Sequence, residues 1–128
     1  MLQVLDIFFV VFHSALIAFN LFGWIWRKTR MANLITLLLT GGSWVILGWI
    51  TGTIGYCPLT DWHFRILEKL GKTDLPASYI KYLADRITGY SFDAALVDSV
   101  TLYGFIAALA LSMTISITLR LRKKMKPV

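Results

Sequence analysis

Side chains that could carry chemistry begin close to the amino end of the chain. Asp6, His13 and Asn20 recur at intervals of seven residues in a segment that is otherwise largely apolar. In a helix this spacing places the three side chains on nearly one face. Ionisable groups inside a membrane are costly and normally face a partner or a water-filled cavity. Asp98, near the start of a later apolar segment, is expected at a depth similar to that of Asp6, so the four residues define a candidate intramembrane polar site.

Two interpretations of this polar site stay open. In the first, it is a small pocket that opens outward and holds a polar head group, a quinone-like ring or a proton path. In the second, the side chains only bind neighbouring helices or reach water. His13 would then bond to Thr40, Ser43 or Trp44, and such membrane hydrogen bonds average under about 1 kcal/mol.

A second group of reactive residue types lies in the stretch "GYCPLTDWH", residues 55–63. Cys57, Asp61 and His63 could coordinate zinc or form a thiol–imidazole pair. A structural zinc site needs four ligands, however, and a nucleophilic pair needs a third group to orient its base. The alternative is an elbow in which Pro58 ends one helix and Thr60 caps the next. Asp61 then lies in the first turn, where the helix dipole favours an acid.

The two histidines also raise the question of haem. Helical rise places His13 roughly 12–15 Å below the outer boundary of a membrane, whereas His63 is expected at that boundary or above it. Two ligands of one iron must lie much closer, so a bis-histidine haem within one chain is not expected, although a haem shared between subunits stays open. No cofactor is predicted, and neither a phosphate-binding loop nor a metalloprotease or nucleic-acid motif is present in the sequence.

The elements that must position these residues follow from composition. Of the 128 residues, 57% are hydrophobic and 16% are charged, against about a quarter charged in soluble domains. Residues 7–26, 31–60 and 99–119 contain no Asp, Glu, Lys or Arg, and each segment can supply the roughly 20 helical residues that cross a bilayer. We therefore predict an all-α integral membrane protein with three spans, at about residues 2–26, 33–54 and 97–119, in a single membrane domain.

The first segment is expected to remain in the membrane as a span. Asp6 and no basic residue precedes its apolar stretch, which leads into "RKTR" rather than into a cleavage site of small residues. A secretory signal has the opposite features.

The net charge of +6 is distributed as in a multi-pass membrane protein. Basic residues cluster after the first span and in a tail at residues 120–128, whereas charges between the second and third spans nearly balance. Positive residues gather on the cytoplasmic side of short loops. This predicts an outer amino terminus and a cytoplasmic carboxyl terminus in a bacterial cytoplasmic membrane, with no nucleic-acid partner.

The outer connection, residues 57–92, is predicted to form a cap of two short amphipathic helices on the membrane surface. The first covers residues 61–70 and ends at Gly71; the second begins at Pro76 and ends at Gly89. Their apolar stripes are Trp62, Ile66 and Leu70 in the first helix, and Ile80, Leu83, Ala84 and Ile87 in the second.

Four glycines of the second span recur at helical spacing and predict a helix-packing face: Gly41, Gly48, Gly52 and Gly55. Gly48 and Gly52 form a small-xxx-small pair that lets helix backbones approach closely. Self-association or assembly into a larger membrane complex would use such a face.

The chain resembles a domain-of-unknown-function family of small bacterial multi-pass membrane proteins. The resemblance rests on "HSALIAFNLFG" at residues 13–23, on the Cys-Pro-Leu-Thr signature in "GYCPLT" after the second span, and on "SYIKYL" at residues 78–83. The family usually has Glu where this chain has His63. Because Thr-x-x-Glu is a helix capping box, that Glu has a structural explanation. The resemblance implies an uncharacterised membrane protein and supplies no reaction.

Together these features favour a non-enzymatic membrane subunit that binds lipid or a partner protein in the bilayer. The alternative is a small membrane enzyme or redox component that acts on a lipid-soluble substrate, through the His13 pocket or through the elbow of Cys57 and His63.

Overall fold

The computed structural model describes residues 1–127, which form five helices and no strand. In chain order these are α1 (Leu2–Phe22), α2 (Arg30–Thr51), α3 (Pro58–Lys69), α4 (Tyr79–Thr88) and α5 (Ala94–Met125). Helices α1, α2 and α5 are long and apolar enough to cross a membrane. The prediction of an all-α fold with three long apolar helices is confirmed.

The turn between α1 and α2 is closed by side chains bonding to backbone. The Thr29 hydroxyl donates to the carbonyl of Gly23 at 2.6 Å, and the Arg30 guanidinium donates to that of Trp24 at 3.0 Å. Asn33 donates to the carbonyl of Phe19 at 2.7 Å. These bonds satisfy carbonyls at the end of α1. They end α1 at Phe22 rather than near residue 26, and α2 begins at Arg30 rather than near residue 33.

Helix α2 contains a single π turn at Ser43–Leu47. Beyond Gly52, whose φ of 78° ends the helix, the chain folds back onto this turn. Ser43 donates to the carbonyl of Tyr56 at 2.9 Å, and the Gly55 amide donates to that of Trp44 at 3.1 Å. The returning backbone thereby supplies partners to the widened turn, and the span stops at Thr51 instead of near residue 54.

The glycines of this region have different surroundings, which corrects the predicted packing face. A Cβ on Gly41 would lie 3.1 Å from the Phe105 ring in α5, whereas one on Gly48 would lie 2.8 Å from the carbonyl oxygen of Thr53. Gly52 and Gly55 have left-handed backbones, with φ of 78° and 88°. The four residues therefore do not form one continuous helix face, because the helix ends before the last two.

Helix α3 begins one turn earlier than the elbow interpretation places it. Cys57 occupies the N-cap position and Pro58 is the first helical residue, where its missing N–H costs nothing. Thr60 is consequently inside the helix instead of capping it. Asp61 does lie in the first turn, and Gly71 follows the last turn with a φ of 86°.

Helix α4 begins at Tyr79 with Ser78 as its N-cap, not at Pro76, and it ends at Gly89 in a left-handed conformation. Asp93 caps α5 by accepting a hydrogen bond from the Leu96 amide at 2.9 Å. Helix α5 continues through the basic residues of the predicted tail to Met125, and residue 128 of that tail lies outside the described residues.

The helices pack so that α3 lies along the first half of α1, while α5 contacts α1, α2 and α4. Most large apolar side chains of the long helices are exposed. Within residues 1–127, only four apolar residues are buried, whereas six polar ones are: Asp6, His13, Asn20, Asn33, His63 and Ser112. The interior is therefore unusually polar, as in bundles whose apolar surface faces lipid.

Candidate functional site

The candidate site is built around the Asp6 carboxylate of α1, which is only 9% exposed. Its Oδ1 accepts hydrogen bonds from His63 Nε2 at 2.7 Å and from Arg86 Nη1 at 3.0 Å, and its Oδ2 accepts one from Arg86 Nη2 at 3.1 Å. The guanidinium therefore binds the carboxylate through two parallel bonds, a strong and directional geometry. One carboxylate in this way joins α1, α3 and α4.

His63 is fully buried within a cage of aromatic rings. It stacks nearly parallel on Phe9, with ring centroids 5.6 Å apart and an interplanar angle of 10°. Tyr82 meets the imidazole edge-on at 5.7 Å, and Tyr79 lies 5.9 Å away. Because the carboxylate of Asp6 can only accept, the Nε2 of His63 carries the hydrogen. Its Nδ1 has no hydrogen-bond partner among the described residues.

Arg86 is held in place from its own helix as well. Its Nη1 donates to the hydroxyl of Tyr82 at 2.8 Å, and the guanidinium carbon lies 5.9 Å from the centroid of that ring. The hydrogen bonds to Asp6, followed by the one to Tyr82, raise the pKa of Arg86 above its ordinary value, although desolvation opposes them. The arginine is therefore a permanent cation at this position.

Beside the ion pair is a cavity of about 200 Å³. Its polar wall consists of Asp6, Arg86, Lys72 and the Tyr82 side chain; Leu67 and Leu70 form the apolar wall. Lys72 also borders a wider depression of the loop that follows α3, lined by Glu68, Thr73, Asp74 and Leu75.

His13 lies seven residues beyond Asp6, which is about two turns further along α1, and it contacts a different set of residues. Its ring stacks on Tyr79 with centroids 3.9 Å apart, and its Nε2 lies 3.9 Å from the Sγ of Cys57. The hydroxyl of Tyr79 is bonded to Ser14 Oγ at 3.2 Å. Burial raises the pKa of Tyr79, with the Ser14 bond opposing it. The proposed bonds from His13 to Thr40, Ser43 or Trp44 are not formed.

Asn20, the third polar residue on this face of α1, belongs to the opposite end of the bundle. Its side-chain amide donates to Thr40 Oγ1 at 3.0 Å, and its backbone carbonyl accepts from the side-chain amide of Asn33 at 3.2 Å. The polar face of α1 thus has three separate partners: the α3 and α4 cluster at Asp6, Cys57 and Tyr79 at His13, and α2 at Asn20.

The structure brings together two groups of residues that the sequence predicted as separate sites, the polar face of α1 and the elbow at residues 55–63. Because α3 lies alongside α1 rather than above its end, the residues of the elbow contact the polar face of α1. His63 binds Asp6 and Cys57 approaches His13. The two histidines both contact Tyr79, so the expected separation of His63 from the polar line is wrong.

Two candidate residues lie outside this cluster. Asp98 is exposed on α5, and no bond joins it to Asp6 within residues 1–127. Asp61 pairs with Arg65 at 3.1 Å and accepts from the Tyr56 hydroxyl at 3.3 Å, so it does not approach His63. Nowhere in the described part of the chain do three His, Cys, Asp or Glu side chains gather closely enough to hold a metal ion.

Sequence reasoning missed the three residues of α4 that complete the site, Tyr79, Tyr82 and Arg86. They are spaced by three and four residues in "YIKYLADR" and therefore share one helix face. A signal was available, since an acid within a membrane segment calls for a basic partner and Arg86 lies on the only face of α4 that combines aromatic rings with a cation.

Three helices with the length and composition of membrane spans, packed around buried polar side chains, are consistent with a small helical membrane protein. The chain belongs to the family described as Protein of Unknown function (DUF2784), whose family model matches residues 3–117. All residues of the Asp6 and His13 clusters lie within that range. No curated protein and no solved structure matches the chain.

Proposed function

We propose that this protein is a non-enzymatic, multi-pass subunit of the bacterial cytoplasmic membrane that binds the anionic head group of a lipid. The binding site is the cavity between α1, α3 and α4. The observation that carries the proposal is the lining of this cavity, which combines two cations, one carboxylate, a tyrosine and two leucines.

The charges of the cavity favour an anion. Arg86 neutralises Asp6 through its two bonds, so Lys72 supplies the excess positive charge among the residues that line the cavity. The Tyr82 hydroxyl accepts its bond from Arg86 and so keeps its own hydrogen for a ligand. A phosphate oxygen is the natural acceptor for an ammonium, a guanidinium edge and a hydroxyl together.

The apolar wall and the volume favour a lipid over a free metabolite. About 200 Å³ is below the usual 300–1,000 Å³ of pockets that enclose whole ligands, so only a head group would enter. Leu67 and Leu70 would contact the first carbons beyond the phosphate. The acyl chains would lie on the exposed apolar surface of the long helices.

The proposed orientation has the amino terminus outside and the carboxyl terminus in the cytoplasm. Basic residues follow α1 and end α5, two positions that lie on the same side of a three-span bundle. Helices α3 and α4 contact the first half of α1, so they would lie on the outer side. The cavity would then face the head groups of the outer leaflet.

Assembly with further copies or another membrane protein is part of the same proposal. The described chain buries only four apolar side chains, which is a small core for an independent bundle. The spans therefore have ample apolar surface for lipid and for a partner helix.

The test is native mass spectrometry of the detergent-solubilised protein after incubation with phosphatidylglycerol or, separately, phosphatidylcholine. Wild-type protein is expected to retain phosphatidylglycerol preferentially, and Lys72→Gln should lose that preference. The matched control is Lys69→Gln, an exposed lysine of α3 that does not line the cavity. Equal retention of the two lipids, or an unchanged preference in Lys72→Gln, would overturn the proposal.

A further inference from the structure

We infer that the site also recognises the part of the lipid head group beyond the phosphate, and that it selects head groups that end in hydrogen-bond donors. The donor is a hydroxyl or a primary ammonium, and the acceptors are the carboxylates of Glu68 and Asp74 in the depression beside the cavity. This inference rests on the proposed function, because it takes the phosphate to lie next to Lys72.

The depression continues the cavity, since Lys72 lines both. The cavity measures about 200 Å³ and the depression about 470 Å³. The larger volume falls within the roughly 300–1,000 Å³ of ordinary ligand pockets. A phosphate bound by the Lys72 ammonium in the cavity therefore leaves room for the terminal group of the same lipid in the depression.

The balance of charge differs between the two spaces. Around the cavity, Lys72 and Arg86 face the single carboxylate of Asp6. Around the depression, the carboxylates of Glu68 and Asp74 face the single ammonium of Lys72. A head group with its phosphate in the cavity and its donors in the depression is complementary to both.

The two carboxylates of the depression are available to a ligand. Within residues 1–127, neither Glu68 nor Asp74 forms an ion pair, although Lys72 follows Glu68 by only four residues. Both side chains are exposed, as contact with the polar end of a head group requires. Because a carboxylate accepts hydrogen bonds and donates none, the group that replaces water here must be a donor.

The loop after α3 fixes where these acids lie. The Gly71 amide donates to the backbone carbonyl of Glu68 at 3.0 Å, and the Lys72 amide donates to that of Leu67 at 3.0 Å. Leu67 is only 1% exposed, so the turn is anchored in the interior of the protein. Asp74 has a left-handed backbone with a φ of 57°, a conformation that aspartate adopts more readily than most residues.

The arrangement should distinguish head groups that carry the same charge. Glycerol has two hydroxyls beyond the phosphate and ethanolamine has a primary ammonium, and both can donate to a carboxylate. Propanol and choline have no such donor, so binding them would displace water from Glu68 and Asp74 without replacing its hydrogen bonds.

The experiment is native mass spectrometry of the full-length protein in detergent, with two pairs of lipids that have identical acyl chains. The first pair is phosphatidylglycerol and phosphatidylpropanol; the second is phosphatidylethanolamine and phosphatidylcholine. Wild-type protein is expected to retain the donor-bearing lipid of at least one pair about fivefold or more over its partner. A preference in the first pair assigns the hydroxyl, and one in the second pair assigns the ammonium.

The variants remove the acceptors and leave the cavity intact. Glu68→Met/Asp74→Gly should retain both lipids of a pair equally, with phosphatidylpropanol held at least as well as by wild type. Glycine suits the left-handed backbone at position 74. The matched control is Lys69→Met, which changes an exposed residue of α3 that lines neither space and should keep the wild-type ratio.

Equal retention within both pairs by wild-type protein would overturn the inference, and this comparison needs no variant. An unchanged ratio in the folded double variant would overturn it as well. The proposed function has a separate readout, because Lys72→Gln should lower the retention of phosphatidylglycerol and phosphatidylpropanol alike. If both of these lipids are retained equally, exceed phosphatidylcholine and are lost in Lys72→Gln, the proposed function stands and this inference fails.

Discussion

Both terminal nitrogens of Arg86 reach the carboxylate of Asp6, at 3.0 and 3.1 Å, although 80 residues separate the two in the chain. This pair fastens α4 to α1. His63 contributes a third bond from α3. This carboxylate is nearly buried and accepts hydrogen bonds from three donor nitrogens. Removing only Arg86 or only Asp6 leaves the other charge without its partner, so either single change should lower the free energy of unfolding more than removing both charges does.

Replacing Arg86 by Gln should lower the free energy of unfolding by about 2 kcal/mol. The value is below the 3–5 kcal/mol known for fully buried pairs, because 41% of the Arg86 side chain is exposed and water screens it. The double variant Asp6→Asn/Arg86→Gln should be more stable than the sum of the two single losses implies. Thermal unfolding in detergent measures the cycle, and strictly additive losses would show that the pair is not coupled.

At position 63, the shape of the side chain should contribute more to stability than its hydrogen bond to Asp6. His63→Phe keeps a ring against Phe9 and gives up only the bond to Asp6, whereas His63→Ala leaves a cavity among four aromatic rings. We expect His63→Ala to cost about 3 kcal/mol or more and His63→Phe clearly less. Unfolding curves of the two variants side by side check the order. A phenylalanine variant as unstable as the alanine variant would make the bond to Asp6 the larger contribution.

The three long helices could be read from the sequence because long segments without charge have one low-energy solution in lipid. The partners of Asp6 and His13 could not. The apolar pattern of α4 predicts an inward face of Ile80, Leu83, Ala84 and Ile87. In the structure, however, Ile87 is 74% exposed and the buried residue of the helix is Tyr79. Lipid is as apolar as leucine, so burial in such a bundle is directed by hydrogen bonds and ring packing rather than by hydrophobicity.

The predicted ends of the helices were also wrong, for a related reason. The limits of α1 and α2 depend on single bonds from side chain to backbone, such as that from Ser43 to the carbonyl of Tyr56. These contacts form only once the chain has returned on itself. By contrast Gly71 and Gly89 end their helices as predicted, because a left-handed closing residue is a local property of glycine.

The stability of the protein should depend on the side-chain amide of Asn33, even against replacement by a carboxylate of the same shape. Its amide donates to the carbonyls of Phe19 and Asn20 at 2.7 and 3.2 Å and so completes the end of α1. Asn33→Asp has the same shape but places a carboxylate against two carbonyl oxygens. We expect Asn33→Asp to be less stable than Asn33→Ala, which itself should lose about 1–3 kcal/mol. Thermal unfolding at neutral pH checks both, and an aspartate variant as stable as wild type would contradict the donor role.

Two glycines of α2 offer a matched comparison. A Cβ on Gly48 would lie 2.8 Å from the Thr53 carbonyl oxygen and 3.0 Å from the Ile54 backbone, whereas one on Gly42 meets nothing within 4 Å. Gly48→Ala should therefore destabilise the turn that returns over the π segment. Gly42→Ala should stabilise the helix by up to about 1 kcal/mol. We expect Gly48→Ala to lower the melting temperature and Gly42→Ala to raise it relative to wild type. Equal shifts in the two variants would mean that the close approach at Gly48 does not determine their stability.

Asp85 should make the stability of the protein depend on pH. Its Oδ2 accepts from Lys81 and its Oδ1 from the Phe92 amide at 2.9 Å, so it links α4 to the loop that precedes α5. The Lys81 hydrogen bond, followed by that from Phe92, lowers the pKa of Asp85 below its ordinary value. The unfolded chain protonates this carboxyl near pH 3.9, before the folded chain does.

The stability that Asp85 contributes is therefore complete above about pH 5 and is lost as the pH falls through the lowered pKa of the folded state. The melting temperature of Asp85→Asn should lie below that of wild type by a constant amount above this pH, and the gap should narrow below about pH 4. Asp98→Asn, which changes an exposed acid outside the cluster, is the control and should follow wild type throughout. A gap between wild type and Asp85→Asn that stays the same down to about pH 3 would mean that the variant acts through something other than the charge of Asp85.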